Sequence, residues 1–197
     1  FLARHARGHR LLPTELNYRA NIYGFKTLGV EFLISVSAVG SMKKEYAPGH
    51  IVVPHQFFDR TRHRPDTFFG EGIVAHTSLA RPVSLALAGV LLAAARAAGA
   101  TVHEGGTYLC MEGPQFSTRA ESRWFGAQGW EVINMTQHPE AVLCREAGLR
   151  YAAIALITDF DAGLEGSGVP AVTQEEVFAF FDQNVETVRG VLHRALA

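Results

Sequence analysis

The segment that most constrains the fold is an apolar run at residues 151–157, which leads directly into Thr158-Asp159-Phe160-Asp161. A short apolar run is typical of a buried strand, and two carboxylates at i and i+2 of a strand point to the same side of the backbone. Burying them costs free energy unless something pairs with them. The pattern therefore fits two interpretations: a surface turn capped by Asp, or a carboxylate pair that binds an exocyclic amine and passes a proton to a ring nitrogen.

Strand patterns alternate with helix patterns along the chain, and most of the helix patterns end at a glycine. Apolar runs predict strands at residues 30–39, 51–54, 103–111, 132–135 and 151–157. Helical spacing predicts helices at 17–28, 82–98, 119–128, 139–146 and 173–195, and Thr173 with Glu176 forms a capping box for the last one. Residues 59–78 and the glycine-rich stretch 163–168 are predicted loops. The alternation indicates an α/β fold: a single domain with a mixed central β-sheet flanked by helices.

In such sheets, ligands collect at the carboxyl ends of the strands. Three predicted strand ends carry polar or functional side chains in this sequence: Ser37-Ala38, Asn134-Met135-Thr136 and the segment 158–161. We therefore expect these three segments to line one ligand site.

Composition narrows the classes of partner. Of the 197 residues, 48% are hydrophobic, which is enough for one well-filled core. The formal net charge of −1 provides no basic surface for nucleic acid, and no stretch resembles a membrane span or a secretory signal. Cys110 and Cys144 form no CxxC pair and the histidines form no HExxH motif, so we expect a reduced, cytoplasmic setting and no metal. Because the chain starts at Phe1, we expect it to be incomplete at the N-terminus.

Several collinear segments, spread over most of the chain, are similar to one enzyme family. They are residues 1–5, Pro13 with 17–21, 37–41, 48–52, 56–61, 112–122, 132–136, 139–140 and 158–161. Together they resemble the trimeric class of purine nucleoside phosphorylases, and within it the 5′-methylthioadenosine phosphorylases. The resemblance implies a phosphorylase-like fold over residues 1–197 and a homotrimer. The family's preceding strand and glycine-rich phosphate loop have no counterpart in this sequence.

The resemblance implies phosphorolysis, in which 5′-methylthioadenosine or a close 5′-deoxyadenosine analogue reacts with inorganic phosphate. The products are adenine and a 5-substituted ribose 1-phosphate, and no cofactor takes part. By resemblance, phosphate would be held by Arg4, His5, Ser37, Ala38 and Thr136. The nucleoside would be held by Phe116 (stacked on the base), Ser117, Ile133, Asn134, Met135, Thr158 and Val177, with His76 contributed by a neighbouring subunit. Asp159 would share a proton with purine N7, and Asp161 would fix the 6-amino group.

Alternatives remain open at this point. A 6-oxopurine phosphorylase of the 5′-methylthioinosine type is one, although family members of that kind tend to carry Asn where this chain has Asp159. A hydrolase or a nucleoside-binding protein without catalysis is another. Gln174 stands where an apolar residue is expected, which leaves room for a 5′-hydroxyl. Arg4 could instead be a surface arginine, Met135 a core methionine and His76 a loop histidine without a ligand.

Overall fold

The central pair of strands in the sheet is also the longest. In the computed structural model, which describes residues 1–163 and 168–197, the strands are β1 (Phe32–Ser41), β2 (Ile51–Val53), β3 (Gln56–Arg60), β4 (Val102–Glu104), β5 (Thr107–Met111), β6 (Val132–Asn134) and β7 (Arg150–Asp159). Strands β1 and β7 pair in parallel from Phe32 opposite Arg150 onward. Residues 151–157 are buried throughout, as the apolar run predicts.

The other strands make the sheet mixed. Its order is β3-β5-β6-β1-β7-β2-β4, with β6 antiparallel to β1 and β2 antiparallel to β7. The outer pairs β2–β4 and β3–β5 are parallel. The helices are α1 (Tyr18–Thr27), α2 (Leu85–Ala97), α3 (Arg119–Ala127), α4 (Gln137–Glu146) and α5 (Gln174–Leu196). Helices α2, α4 and α5 pack against β7. This arrangement confirms the predicted α/β class with a mixed sheet flanked by helices.

The single strand predicted at 103–111 is wrong, because it is two strands that lie far apart in the strand order. Gly105 and Gly106, both at positive φ, separate β4 from β5, and left-handed backbone of this kind favours glycine. The same bend occurs between β2 and β3, where Gly105 N–H donates to the Val53 carbonyl and His55 N–H to the Gly106 carbonyl. Two bent segments therefore run side by side and curl the sheet.

Other sequence expectations are met within one to three residues at most ends. The capping box of Thr173 and Glu176 opens α5 as predicted. Strand β3 was not predicted, and its last two residues fall in the segment expected to be a loop. Gly166 of the predicted glycine-rich loop lies outside the described residues. Among the described residues, no helix is both long and apolar enough to cross a bilayer, and Cys110 and Cys144 are buried free thiols.

The main hydrophobic core lies between the sheet and helices α1, α2, α4 and α5. Leu91 of α2 is fully buried there, whereas its neighbour Val90 is 46% exposed. We expect Leu91→Ala to lower the free energy of unfolding by about 2–5 kcal/mol, because it removes packed atoms and leaves a cavity. Val90→Ala, in the same helix, should change it by less than about 0.5 kcal/mol. Chemical denaturation of both variants measures the difference, and equal losses would contradict this assignment of the core.

Candidate active site

A cavity of about 610 Å³ opens at the carboxyl ends of β1 and β7. It contains side chains from β1, β6, β7, α5 and the N-terminal segment. Every site residue predicted from the sequence lines this cavity except Ser117 and His76. The lining ones are Arg4, His5, Ser37, Ala38, Phe116, Ile133, Asn134, Met135, Thr136, Thr158, Asp159, Asp161 and Val177. Segments that are far apart in the sequence thus converge at one place.

The aspartate pair is positioned by an irregularity in the central strand pair. The register of β1 against β7 shifts between Val39 and Gly40, which places Gly40 opposite Asp159. A Cβ on Gly40 would lie 2.9 Å from Asp159 Oδ1 and 3.2 Å from the Asp161 Cβ. Only glycine leaves room for both carboxyl groups at this point. Local sequence patterns predict no role for Gly40, because its function depends on a close approach across the sheet.

Both aspartates are held by short local contacts. The Asp161 N–H donates to Asp159 Oδ1 at 2.7 Å, and the Thr158 hydroxyl lies 2.7 Å from Asp159 Oδ2. Asp161 is 3% exposed, and its Oδ2 has no hydrogen-bond partner among the residues that the structure describes. These contacts fix the Asp159 carboxyl against the backbone of Asp161, and Asp161 Oδ2 keeps its capacity to accept a hydrogen bond.

Burial is the main influence on the acidity of the pair. It raises the pKa of Asp159 above its ordinary value, and the neighbouring Asp161 and Glu176 charges add to that effect, while the Thr158 hydroxyl and the Asp161 N–H oppose it. Burial likewise raises the pKa of Asp161, although the Ser122 and Ser117 hydroxyls lower it. Ser117 therefore influences Asp161 without lining the cavity. The pair can hold a proton where an exposed carboxylate would release it.

The wall next to the aspartates is formed by Phe116 and Met135. Phe116 is partly exposed and follows the turn at Gly113-Pro114. Gly113 has a φ of +72°, and a Cβ there would collide with Met135 Sδ, so the thioether lies directly on the turn. Asn134 accepts the Met135 N–H through Oδ1. An aromatic face and a polarisable sulfur thus share one side of the cavity.

The opposite end of the cavity carries a cation and hydroxyls. Arg4 Nη1 is 2.6 Å from Glu140 Oε1, and Nη2 donates to the Val36 carbonyl and lies 3.4 Å from Ser37 Oγ. Ser37 Oγ is in turn 3.4 Å from Thr136 Oγ1. Burial opposes the charge on Arg4, but the Glu140 carboxylate together with Tyr151 and Tyr108 outweighs it, so the pKa of the guanidinium is raised. The group is a permanent cation beside two hydroxyls, which is the chemistry of an anion site.

Glu140 was not assigned a role from the sequence, yet it organises this end. It is buried in α4, and besides Arg4 it accepts from Ser35 Oγ at 3.1 Å and lies 3.5 Å from the Tyr151 hydroxyl. A charged residue inside an otherwise apolar helix turn was the available signal, because buried carboxylates are almost always paired. Its partner could not be known, since Arg4 lies 136 residues away.

His5 lies beside Arg4 with a defined orientation. Its Nδ1 is 2.8 Å from the Leu11 carbonyl, so Nδ1 carries the proton and donates. The ring stacks on His9 with centroids 4.2 Å apart, and burial lowers the pKa of His5. A neutral His5 therefore has its Nε2 free to accept a hydrogen bond. His9 also lines the cavity, although the sequence predicted no role for it in the site.

Two predicted residues have different surroundings. His76 is exposed in the segment between β3 and α2 and does not line the cavity of its own chain. Val177 lines the cavity from α5, together with Gln174 and Phe178. The 5′ end expected from the sequence thus combines apolar groups with one amide. Within the described residues, no group of three or more His, Cys, Asp or Glu side chains is arranged to hold a metal ion.

Comparison with known proteins identifies the class. The Phosphorylase superfamily profile matches residues 1–197, and the chain belongs to that family. It is 56% identical over 197 residues to the S-methyl-5′-thioadenosine phosphorylase of Geobacter sulfurreducens. The alignment covers all of this chain and 68% of that protein. The enzyme of the same name from Hyperthermus butylicus is 50% identical, with all of this chain and 70% of that protein covered.

Solved structures agree with this assignment. A methylthioadenosine phosphorylase from an antarctic soil metagenomic library superimposes with a TM-score of 0.92 at 45% identity, covering 100% of this chain and 69% of that one. Methylthioadenosine phosphorylase from Schistosoma mansoni in complex with adenine gives a TM-score of 0.93 at 36% identity, covering 98% and 74%. These relatives are longer than this chain, which matches about two thirds to three quarters of each.

The raised pKa of Asp159 makes stability depend on pH. Because the folded state binds the proton more tightly than the unfolded state, stability falls as pH rises through the ordinary value of 3.8 toward the raised one. We expect Asp159→Asn to increase the free energy of unfolding at pH 7, with a gain that shrinks as the pH approaches 3.8. Thr158 Oγ1 retains the Val39 carbonyl, 3.3 Å away, as an acceptor.

Urea unfolding between pH 4 and pH 8 measures this effect. The matched control is Asp182→Asn on the exposed face of α5, which should change stability by less than about 0.5 kcal/mol at either end. A gain for Asp159→Asn that is independent of pH, or a loss at pH 7, would contradict the assigned cause of the shift.

Proposed function

We propose that this protein catalyses phosphorolysis of 5′-methylthioadenosine, or a close 5′-deoxyadenosine analogue, to adenine and a 5-substituted ribose 1-phosphate. The observation that carries the proposal is the polarity of one cavity. Its two ends hold a half-buried and a buried carboxyl group of raised pKa, and a half-buried arginine with two hydroxyls. A leaving purine fits the end with the carboxyl groups, and an attacking anion fits the end with the arginine. The relatives named above carry the same activity in their names.

At the acidic end, protonated Asp159 donates to purine N7 as the C1′–N9 bond breaks. The electron pair of that bond passes into the ring system, and the proton at N7 neutralises it. Asp161 Oδ2, which is buried and has no partner within residues 1–163 and 168–197, accepts from the 6-amino group. Phe116 stacks on the base. Protonating a leaving group in this way contributes about 10²–10⁴-fold to rate.

At the basic end, Arg4 binds phosphate, and Ser37, Thr136 and the Ala38 N–H supply further donors. Neutral His5 accepts from the hydroxyl of hydrogen phosphate through Nε2, because its Nδ1 proton is already donated to the Leu11 carbonyl. A phosphate oxygen then attacks C1′ from the side opposite to the purine. Electrostatic stabilisation of this kind needs donors fixed before the reaction, and the Arg4–Glu140 ion pair provides that.

Between the two ends lies the sugar. Met135 Sδ packs against the ribose as positive charge develops at C1′, and a polarisable sulfur suits that contact. Ile133, Asn134 and Thr158 line the same region. Val177 receives the 5′-methylthio group, and Gln174 leaves space for a small polar 5′-substituent.

We also propose a homotrimer in which His76 reaches the 5′ end of a neighbour's cavity. Its exposure within one chain and its position in a long segment without regular structure support this. Two buried free thiols, Cys110 and Cys144, suit a reducing cytoplasm.

Substrate turnover tests the proposal. The purified full-length protein should release adenine from 5′-methylthioadenosine only when phosphate is present, measured by chromatography of the base. Asp159→Asn should lower kcat by about 10²–10⁴-fold while the protein stays folded. Asp182→Asn is the control and should match the wild type. Adenine released without phosphate would indicate a hydrolase instead, and faster turnover of 5′-methylthioinosine would indicate a 6-oxopurine enzyme.

The phosphate end has its own prediction. Removing Arg4 alone would leave Glu140 as an unpaired buried carboxylate, which is strongly destabilising. We therefore compare Glu140→Gln with the double variant Arg4→Ala/Glu140→Gln. The double variant should raise the KM for phosphate by about 10- to 100-fold, since charge-assisted hydrogen bonds contribute about 1.5–3 kcal/mol. Its KM for the nucleoside should change little.

Steady-state kinetics with each substrate varied in turn give both constants. Arg7→Ala, an exposed arginine outside the cavity lining, is the control for loss of positive charge. If the double variant kept the phosphate KM of Glu140→Gln, Arg4 would not be a phosphate ligand.

A further inference from the structure

Behind the cavity wall lies a buried cation that is absent from the cavity lining. Arg64 is 7% exposed and belongs to the long segment between β3 and α2. A buried guanidinium is costly unless its donors are satisfied, and here all three nitrogens have acceptors. The placement of those acceptors gives this residue a role beyond packing.

The acceptors lie on both sides of the cavity wall that Phe116 and Met135 form. Arg64 Nη1 donates to the Met135 carbonyl at 2.6 Å and to the His138 carbonyl at 2.8 Å. Arg64 Nη2 donates to the Glu112 carbonyl at 2.8 Å, and Nε lies 3.4 Å from Glu112 Oε1. A weaker contact of 3.2 Å joins Nη1 to the Tyr18 hydroxyl. One planar group thus joins the end of β6 to the end of β5.

These two strand ends also meet on the cavity side. Met135 Sδ lies against Gly113, the residue that follows Glu112, so closely that a Cβ there would collide with the sulfur. The same junction is therefore closed by the thioether in front and by the guanidinium behind. A shift of either carbonyl relative to the other would move Met135 over the turn that carries Phe116.

The Arg64 segment is itself anchored at both sides of the guanidinium. Arg62 N–H donates to the Glu112 carboxylate. Thr67 Oγ1 and Phe68 N–H donate to the Glu146 carboxylate at 2.7 and 2.8 Å. With the backbone fixed on both flanks, the side chain has a defined direction, and its planar fork fits carbonyls that diverge.

We propose that Arg64 is a positioning residue for the reaction: it fixes Met135 against the sugar without touching the substrate. This inference rests on the proposed function, because Met135 matters only if a nucleoside occupies the cavity. Lysine in its place would keep the charge but could not reach carbonyls on both strand ends at once. The sulfur would then be displaced from the sugar, and small misplacements at a reacting centre cost up to about 10²-fold in rate.

The test is a double-mutant cycle with Arg64→Lys, Met135→Ala and the double variant. We expect Arg64→Lys to lower kcat/KM for 5′-methylthioadenosine by about 10- to 100-fold, with the KM for phosphate within about twofold of the wild type. Because Arg64 acts through Met135, the effect of Arg64→Lys should largely disappear in the Met135→Ala background. Arg150→Lys, an exposed arginine paired with Glu31, is the matched control and should behave as the wild type.

The outcomes distinguish a failure of the Arg64 inference from a failure of the proposed function. A purely structural role would lower the melting temperature and the active fraction but leave kcat/KM per folded molecule unchanged, which would overturn the inference. Additive effects in the cycle would overturn it as well. A wild-type protein that releases no adenine would instead contradict the proposed function. If Arg64→Lys fails to fold, Glu112→Gln weakens the same junction and should give a smaller loss in the same direction, whereas unchanged kinetics would overturn the inference.

Discussion

The parallel pairing of β1 with β7 is the constraint on which the site depends. Parallel strands place their carboxyl ends at the same edge of a sheet. Ser37-Ala38 therefore lies beside Ala155-Leu156, just before the segment 158–161, and both segments line one cavity. The register shift at Gly40 then turns this edge into a site, because it brings both carboxyl groups against a residue without a side chain. Without that shift the strand ends would meet, but the aspartates would have no room.

Burial has different electrostatic consequences at the two ends of the cavity. At one end the Arg4 cation is matched by Glu140, so its charge is kept and its direction is fixed. At the other end the partners of the aspartates are hydroxyl and backbone N–H groups, and burial raises the pKa of both carboxyl groups. One end is therefore prepared for an anion and the other for a group that needs a proton. The buried aspartates cost stability at neutral pH, and such an asymmetry is expected where function has shaped the site.

The positions of the strand ends can be predicted from the sequence because local residue patterns encode them. The apolar run at 151–157 and the polar residues after it predict a buried strand that ends in a site, and the structure has the buried strand with a cavity at its end. The strand predicted at 103–111 is divided by a bend at Gly105-Gly106. That bend is hydrogen-bonded to the one after Val53, a contact that local sequence patterns do not predict. Glu140 and Arg64 were missed because their partners are distant in the sequence. The role of His76 stays a prediction, since nothing within one chain brings it to the cavity.

The central claim is that one cavity binds an adenine at its acidic end and phosphate at its basic end. A crystal structure of the protein with adenine and phosphate tests this most directly. We expect purine N7 and the 6-amino group within hydrogen-bond distance of Asp159 and Asp161, with Phe116 over the ring. Phosphate should contact Arg4, Ser37 and Thr136. Adenine bound away from the aspartates, or phosphate bound at their end of the cavity, would contradict the account.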